Sequence, residues 1–454
     1  MSLNAKYYLY GLILLALIIL ISSFIIRDKY NAGYPIGDES YNTLRYGRYI
    51  AENNVLPQED PYSYGSRPFI NEFGYPLILS FMPDNWQYIL PLIFGLLSLF
   101  FYYKIVEKTN PEVKVLASLL LIISPIYIYL FSTTTKHSIG LFLLFLGFYS
   151  YIKDNKKLSI LIFSLLAFFN YLLSLTSVLL FLAYSIKNKK WNDFVIMLIL
   201  NITIFLVQFK TIFSLGFPET IFGAIHFSMV NFFSVILSDF GSKLGISIFV
   251  LVLGFIGIYY HWKDNFRYIF IYLAVLISLL ISVYIIQSFV LVFPFLTFTA
   301  AYGIVALIKH EWKSNILKQI TILIIICGLL FSGLSYINRI STFTPTAGFG
   351  EGLSYIKELN STGIIFSDYI RGVYISYAKK SNFMDAKFLY APNFKQRYAD
   401  SGRILHGKNI KETVALINRY NIDYIWIDKE LKESLWGKTD IELLFFLKYS
   451  PENF

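Results

Sequence analysis

Apolar residues in this chain run in long unbroken blocks and seldom alternate with polar ones. The blocks are Tyr7–Ile26, Trp86–Val106, Val115–Phe131, Ser138–Ile152, Leu158–Ile186, Trp191–Phe209, Leu244–Tyr260, Tyr268–Ile286, Phe289–Ile308 and Ile316–Ile337. A block of about 20 apolar residues is long enough to cross a bilayer as a helix. The connections "KIVEKTNPEVK", "KDNKK", "KNKK", "HWKDNFR" and "KHEWKSNILK" are short and rich in Lys and Arg. The positive-inside rule puts all of them in the cytoplasm. Both flanks of Leu158–Ile186 then lie inside, which a single span cannot satisfy. That block, at roughly 29 residues, is better read as a hairpin of two short helices turning near Asn170–Ser174, so the chain is expected to have about 11 helices. The polar groups of such a turn need burial in protein or a cavity.

The pattern predicts a cytoplasmic amino terminus and an extracytoplasmic tail. The transmembrane domain covers residues 1–337 and includes a large first external loop, 27–85. Residues 338–454 form a small external α/β domain. In this tail "GIIFSDY" and "IDYIWID" read as strands and "NIKETVALINRY" as a helix. Lys210–Lys243 reads as an interfacial or re-entrant element.

Composition agrees with a polytopic α-helical protein of the cell membrane. Hydrophobic residues make up 56% of the 454 and charged residues 15%, a combination that soluble domains rarely show. The net charge of +10 orients helices by its place on cytoplasmic loops and implies no nucleic-acid partner. The single cysteine, Cys327, excludes a disulfide framework. The first apolar block lacks a small-residue cleavage site and reads as an uncleaved helix. No GxxxxGK[ST], HExxH or CxxC pattern occurs.

The polar exception is "GDESYNTLRYGRYIAENNVLPQEDPYSYGSRPF", Gly37–Phe69. Gly37-Asp38 starts a predicted helix that runs to about Glu52. On it Asp38, Tyr41, Asn42, Arg45, Tyr49 and Glu52 share one face, and Glu39, Thr43 and Tyr46 another. A carboxylate near a helix amino terminus is favoured in its ionised form and can hold a metal or take a proton from a hydroxyl. The same residues have plainer uses. Asp38 can be a helix cap, Arg45 and Arg48 interfacial residues, and the tyrosines membrane anchors.

An initial membrane helix followed by an external "GDES…R…R", "DPYSYG" and "GYPL" resembles the first external loop of GT-C glycosyltransferases. These include protein O-mannosyltransferases, oligosaccharyltransferase catalytic subunits and lipid A aminoarabinose transferases. The resemblance implies a sugar carried on polyprenyl phosphate and moved at the external face to a protein, lipid or glycan acceptor. It implies Asp38 as base or as ligand of a divalent metal (Mg or Mn), with Glu39 beside it. Arg45, Lys136, His137 and Arg339 become candidates for the donor phosphate, since cations suit phosphate. Glu59, Asp60, Glu219 and His226 become candidates on the acceptor side. Two departures stand out. The second external loop, "STTTKHS", carries no carboxylate, and of the tail's acceptor motif only Asp368 and Tyr369 remain, with Gly372 displaced. The competing readings are a polyprenyl-lipid or sugar transporter and a non-catalytic scaffold. Charges that avoid the spans, and the absence of two related halves, favour the transferase.

Overall fold

The computed structural model describes residues 3–30, 35–63, 66–69, 72–83, 85–188, 191–210, 229–264, 288–360, 363–386, 390–436 and 443–453. The candidate residues Glu219 and His226, and the apolar block Tyr268–Ile286, lie outside them. Every other apolar block is mainly helical, as a chain must be where no water pairs its backbone. Among the described residues five helices, beginning at Lys6, Trp86, Trp191, Phe289 and Asn315, are long and apolar enough to cross a membrane. The count is six if one bent pair is a single span. These are the helices of an integral membrane protein.

Contacts divide the chain into two units. The first holds α1 (Leu3–Lys29) and α4 (Trp86–Thr109) through α10 (Trp191–Gln208), with the later membrane helices Ile248–Asp264, Phe289–Lys309 and Asn315–Arg339. The block expected as one helix over Val115–Phe131 is broken into α5 (Lys114–Ile123) and α6 (Pro125–Phe131), bent by 64°. Pro125 has no N–H to donate and forces the residue before it out of helical geometry, so Ser124 is extended (ψ 129). Helices Ile248–Asp264 and Phe289–Lys309 approach closely through glycines. A Cβ on Gly257 would lie 1.8 Å from the Thr299 carbonyl oxygen, so no larger residue fits without separating the pair.

The Leu158–Ile186 block does fold back on itself. Asn170 is extended between α8 (Lys156–Phe169) and α9 (Tyr171–Asn188), and its Oδ1 accepts from the Leu173 N–H. Phe163 and Phe181 stack edge-on at 5.7 Å. In one straight helix they would be about 27 Å apart.

The second unit is built mainly from Tyr34–Pro83 and Thr344–Phe454. The first loop was expected to belong with the membrane domain. It packs instead into the tail, more than 260 residues away, and the reason is visible in the core. Tyr41, on α2 (Gly37–Asn53), lies among Phe349, Leu353, Ile365 and Tyr374 and is 1% exposed. The tail's sheet is parallel, in the order β4 (Ser381–Asn382), β3 (Ile364–Phe366), β5 (Ile422–Ile425). Its edge at β4 continues into the first loop, where Ser63 bridges to Asn382 and the Asn382 N–H donates to Tyr62 O at 2.9 Å. The strands "GIIF" and "IDYI" and the helix Ile410–Arg419 fall where the sequence pattern put them.

Candidate functional site

Helix α2 carries the site. It opens at Gly37, whose φ of 78 suits glycine and whose N–H donates to Thr344 O at 3.0 Å, so the tail holds the start of the helix. The cap position is Ile36, and no side chain caps the helix. Asp38 is therefore not the capping residue. It sits inside the first turn, half-buried, and among the described residues no group hydrogen-bonds or ion-pairs with its carboxylate. Glu39 is half-buried and turned about 100° around the helix from Asp38. Backbone N–H groups at the helix start favour a negative charge here.

Two turns along the same face, α2 enters a buried ion network. Arg45 (8% exposed) donates from both terminal nitrogens to Asp60, at 3.0 and 2.7 Å. It also reaches Tyr46 at 2.6 Å and Asn42 Oδ1 at 3.3 Å. Asp60 and Arg67 come from the hairpin β1 (Glu59–Asp60) and β2 (Arg67–Pro68), paired Asp60 with Arg67. Arg67 lies 3.4 Å from Asp60 and 2.9 Å from Asp385 in the tail. Asn382 approaches Asp385 at 3.4 Å and also donates to Ser376. Burial opposes ionisation of Asp60, but the charges of Arg45 and Arg67, with hydrogen bonds from Arg45 and Tyr46, outweigh it and lower its pKa. Burial pushes the Tyr46 hydroxyl up, with Arg45 acting against it.

The other sequence-predicted residues fall as follows. Glu59 is exposed and accepts from Ser66 Oγ at 3.1 Å. His137 is buried near the start of α7 (Lys136–Ile152), with Nδ1 2.7 Å from Asn170 Nδ2 at the α8–α9 turn. The half-buried Lys136 opens that helix. Arg339 ends the last membrane helix and donates to Ser238 O at 2.5 Å and Ser242 O at 3.1 Å. In the tail, Asp368 is bound by Arg371 at 2.6 Å, and Arg371 also meets Asp428 at 2.7 Å. The second unit thus brings Asp38, Glu39, Arg45, Glu59 and Asp60 into one folded body, while Lys136, His137 and Arg339 belong to the first unit.

Sequence reasoning did not find Arg67, Asp385 or Asn382. Asp385 lies in "NFMDAKF", a charge set among apolar residues. That is the one local sign that it is buried with a partner.

A divalent metal was implied at Asp38. Among the described residues no three His, Cys, Asp or Glu side chains converge on one point. A metal such as Mg²⁺ keeps several waters and is held by one or two carboxylates together with substrate phosphate. Asp38 could supply one such carboxylate, and the described residues build no all-protein cage around it.

No protein-family model matches the sequence, and no curated protein is significantly similar to it. Solved structures do match. The apo oligosaccharyltransferase of Archaeoglobus fulgidus superposes with a TM-score of 0.59 at 12% identity, over 99% of this chain and 73% of that one. The same enzyme tethered to an acceptor peptide with an NVT sequon gives 0.61 at 13%, with the same coverage. Its complex with an inhibitory peptide and dolichol-phosphate gives 0.61 at 13%. A complex of that enzyme with Zn and sulfate gives 0.59 at 12%. Over nearly its whole length the chain has the fold of an archaeal oligosaccharyltransferase, the GT-C type that its first loop resembles.

Proposed function

We propose that this protein is an integral-membrane glycosyltransferase that moves a sugar from a polyprenyl phosphate, of dolichyl or undecaprenyl type, to a protein, lipid or glycan acceptor at the extracytoplasmic face. The observation that carries this is Asp38: a half-buried carboxylate without a partner among the described residues, held in the first turn of α2 on a fold shared with an enzyme solved with dolichol-phosphate. The structural neighbour's acceptor is a peptide. Only Asp368 and Tyr369 of the family's acceptor motif are present here, and Asp368 is bound by Arg371, so a single-sugar transfer is favoured over sequon recognition.

The reaction is a displacement with inversion. An acceptor oxygen or nitrogen attacks the anomeric carbon, and its proton passes to the Asp38 carboxylate. The bond from carbon to phosphate oxygen breaks, and polyprenyl phosphate leaves with the electron pair. Proton removal by a positioned carboxylate contributes about 10²–10⁴-fold. Glu39 stands beside it as a second carboxylate. Lys136, a flexible point charge, suits the donor's phosphate. Glu59 is exposed and open to an acceptor; Asp60 has no such role, because its oxygens are engaged by two arginines. No step is assigned to a metal. Eleven spans, with the amino terminus in the cytoplasm and the tail outside, would place Asp38 where a lipid donor that cannot leave the bilayer can reach it.

The test is turnover in proteoliposomes. Purified protein is given dolichyl-phosphate-linked mannose, glucose or galactose, and release of dolichyl phosphate is followed with mixed Ser/Thr and Asn-X-Thr peptides and with glycolipids as acceptors. Release that depends on acceptor supports the reading. Movement of intact donor between leaflets without its cleavage would identify a flippase.

A further inference from the structure

We infer that Asp60 is a positioning residue: the buried Arg45–Asp60–Arg67–Asp385 network sets the rotation of α2 and so the direction in which Asp38 presents its carboxylate. This rests on the reading of Asp38 as the base.

The geometry leads there in three steps. First, Asp38 and Arg45 are seven residues apart on one continuous helix, which returns to within about 20° of the same azimuth and rises about 10 Å. A helix of this length turns as a rigid rod, so whatever fixes Arg45 around the axis fixes Asp38. Asn42, four residues after Asp38 and on the same face, accepts from Arg45 as well.

Second, Arg45 has little freedom. Its planar fork meets both oxygens of Asp60, a bidentate contact that specifies direction as well as distance. Asp60 is 2% exposed and is itself gripped by Arg67, which is tied to Asp385. The adjoining strip of α2, about 40–60° around the axis from Arg45, is packed by rings: Tyr41 lies 4.7 Å from Tyr374 and 4.7 Å from Tyr377, and Arg48 stacks over Tyr377 at 4.9 Å. Aromatic packing tolerates sliding and small rotations. The ion network does not, because each lost contact leaves a charge buried without a partner.

Third, the network is more than a simple core needs. Two arginines and two aspartates balance in charge at under a tenth exposure. A buried ion set of this kind adds little net stability over well-packed apolar residues of the same volume. What it does supply is a single allowed arrangement of three segments that are distant in sequence: α2, the β1–β2 hairpin and the chain after β4.

The experiment combines an activity readout with a direct readout of orientation. Asp60→Asn, nearly isosteric and uncharged, is made in the full chain and purified in the membrane-inserted form. The expected result is a kcat lowered at least tenfold, with KM for dolichyl-phosphate-linked sugar changed less than twofold. Orientation is read in a Cys327→Ser background carrying Asp38→Cys, by the rate of labelling with a membrane-impermeant maleimide. Adding Asp60→Asn should change that rate threefold or more, while labelling of Gln396→Cys, exposed on the helix Phe394–His406, stays constant. An unchanged rate at position 38 overturns the proposal whatever the activity. An unchanged kcat overturns it too. If Asp60→Asn does not fold, Asp385→Asn decides by the same criteria, since it leaves the Arg45–Asp60 pair whole and cuts only the tie to the tail. Full transfer by Asp38→Ala would sink the base role instead, and the labelling result would still report on positioning.

Discussion

Asp38 and Asp60 carry the same side chain in the same 50-residue segment and have opposite fates. Asp60 sits at the junction of three segments with each oxygen held by an arginine, so its carboxylate is used up in holding the fold. Asp38 sits half-buried in the first turn of α2 with no partner among the described residues. A free carboxylate beside helix N–H groups costs the protein an interaction it could have made, and it remains available for a proton or a ligand. The contrast gives a way to sort the acidic residues of this segment: the saturated one builds, and the unsaturated one stays open to a proton or a ligand.

The sharpest way to break this contrast is to exchange the consequences of losing each group. Asp38→Ala should remove nearly all transfer, a fall of about 10²–10⁴, with the midpoint of thermal unfolding unchanged in a tryptophan-fluorescence melt. Asp60→Ala should act on the fold as well as on turnover. Removing one member of a buried pair costs about 3–5 kcal/mol, and the damage should appear as a lower melting midpoint and as faster hydrogen exchange across residues 59–69 and 381–386.

Much of this contrast was hidden in the sequence. The helix from Gly37 and the place of Asp38 in its first turn were legible, because a helix start and a period of 3.6 are local signals. So were the apolar blocks and the Leu158–Ile186 turn, which followed from Lys runs at both flanks. The fate of Asp60 was not legible. "QEDPYSYG" reads as a turn, while Asp60 pairs with Arg45 from the preceding helix and with Arg67 across its own hairpin, and Arg67 is tied in turn to Asp385, more than 300 residues away. Nothing local announces a contact of that span. For the same reason the first loop was assigned to the membrane domain, although Tyr41 completes the core of the tail. The break at Ser124 was legible in principle, since Pro125 was in plain view within the apolar block.

Acid should sharpen the comparison. The pKa of Asp60 is lowered in the folded protein. Its stabilising contribution is therefore complete above the unfolded value of about 3.9 and is lost as pH falls through the lower folded value. Near-ultraviolet circular dichroism of the protein in detergent should hold between pH 5 and 4 and decline below. In Asp60→Asn this particular loss should be absent. A wild-type decline already complete at pH 5 would contradict the network as described.

A smaller effect is expected at Lys136. Lys136→Ala should raise KM for the donor lipid several-fold with a modest change in kcat, and the deficit should shrink as ionic strength rises, because salt screens the attraction between Lys136 and phosphate in the wild type. The smallest effect belongs to Glu59, which is exposed and accepts a hydrogen bond from Ser66. Glu59→Gln should shift stability by no more than about 0.5 kcal/mol, which sets the baseline against which its neighbour Asp60 is judged.

The most direct test is a single-turnover assay on Asp38→Asn, which keeps the shape of the side chain and removes its basicity. With the donor fixed as the dolichyl-phosphate sugar that the wild-type protein consumes, release of dolichyl phosphate should slow at least a hundredfold while donor binding is retained. Release at the wild-type rate would contradict Asp38 as the base.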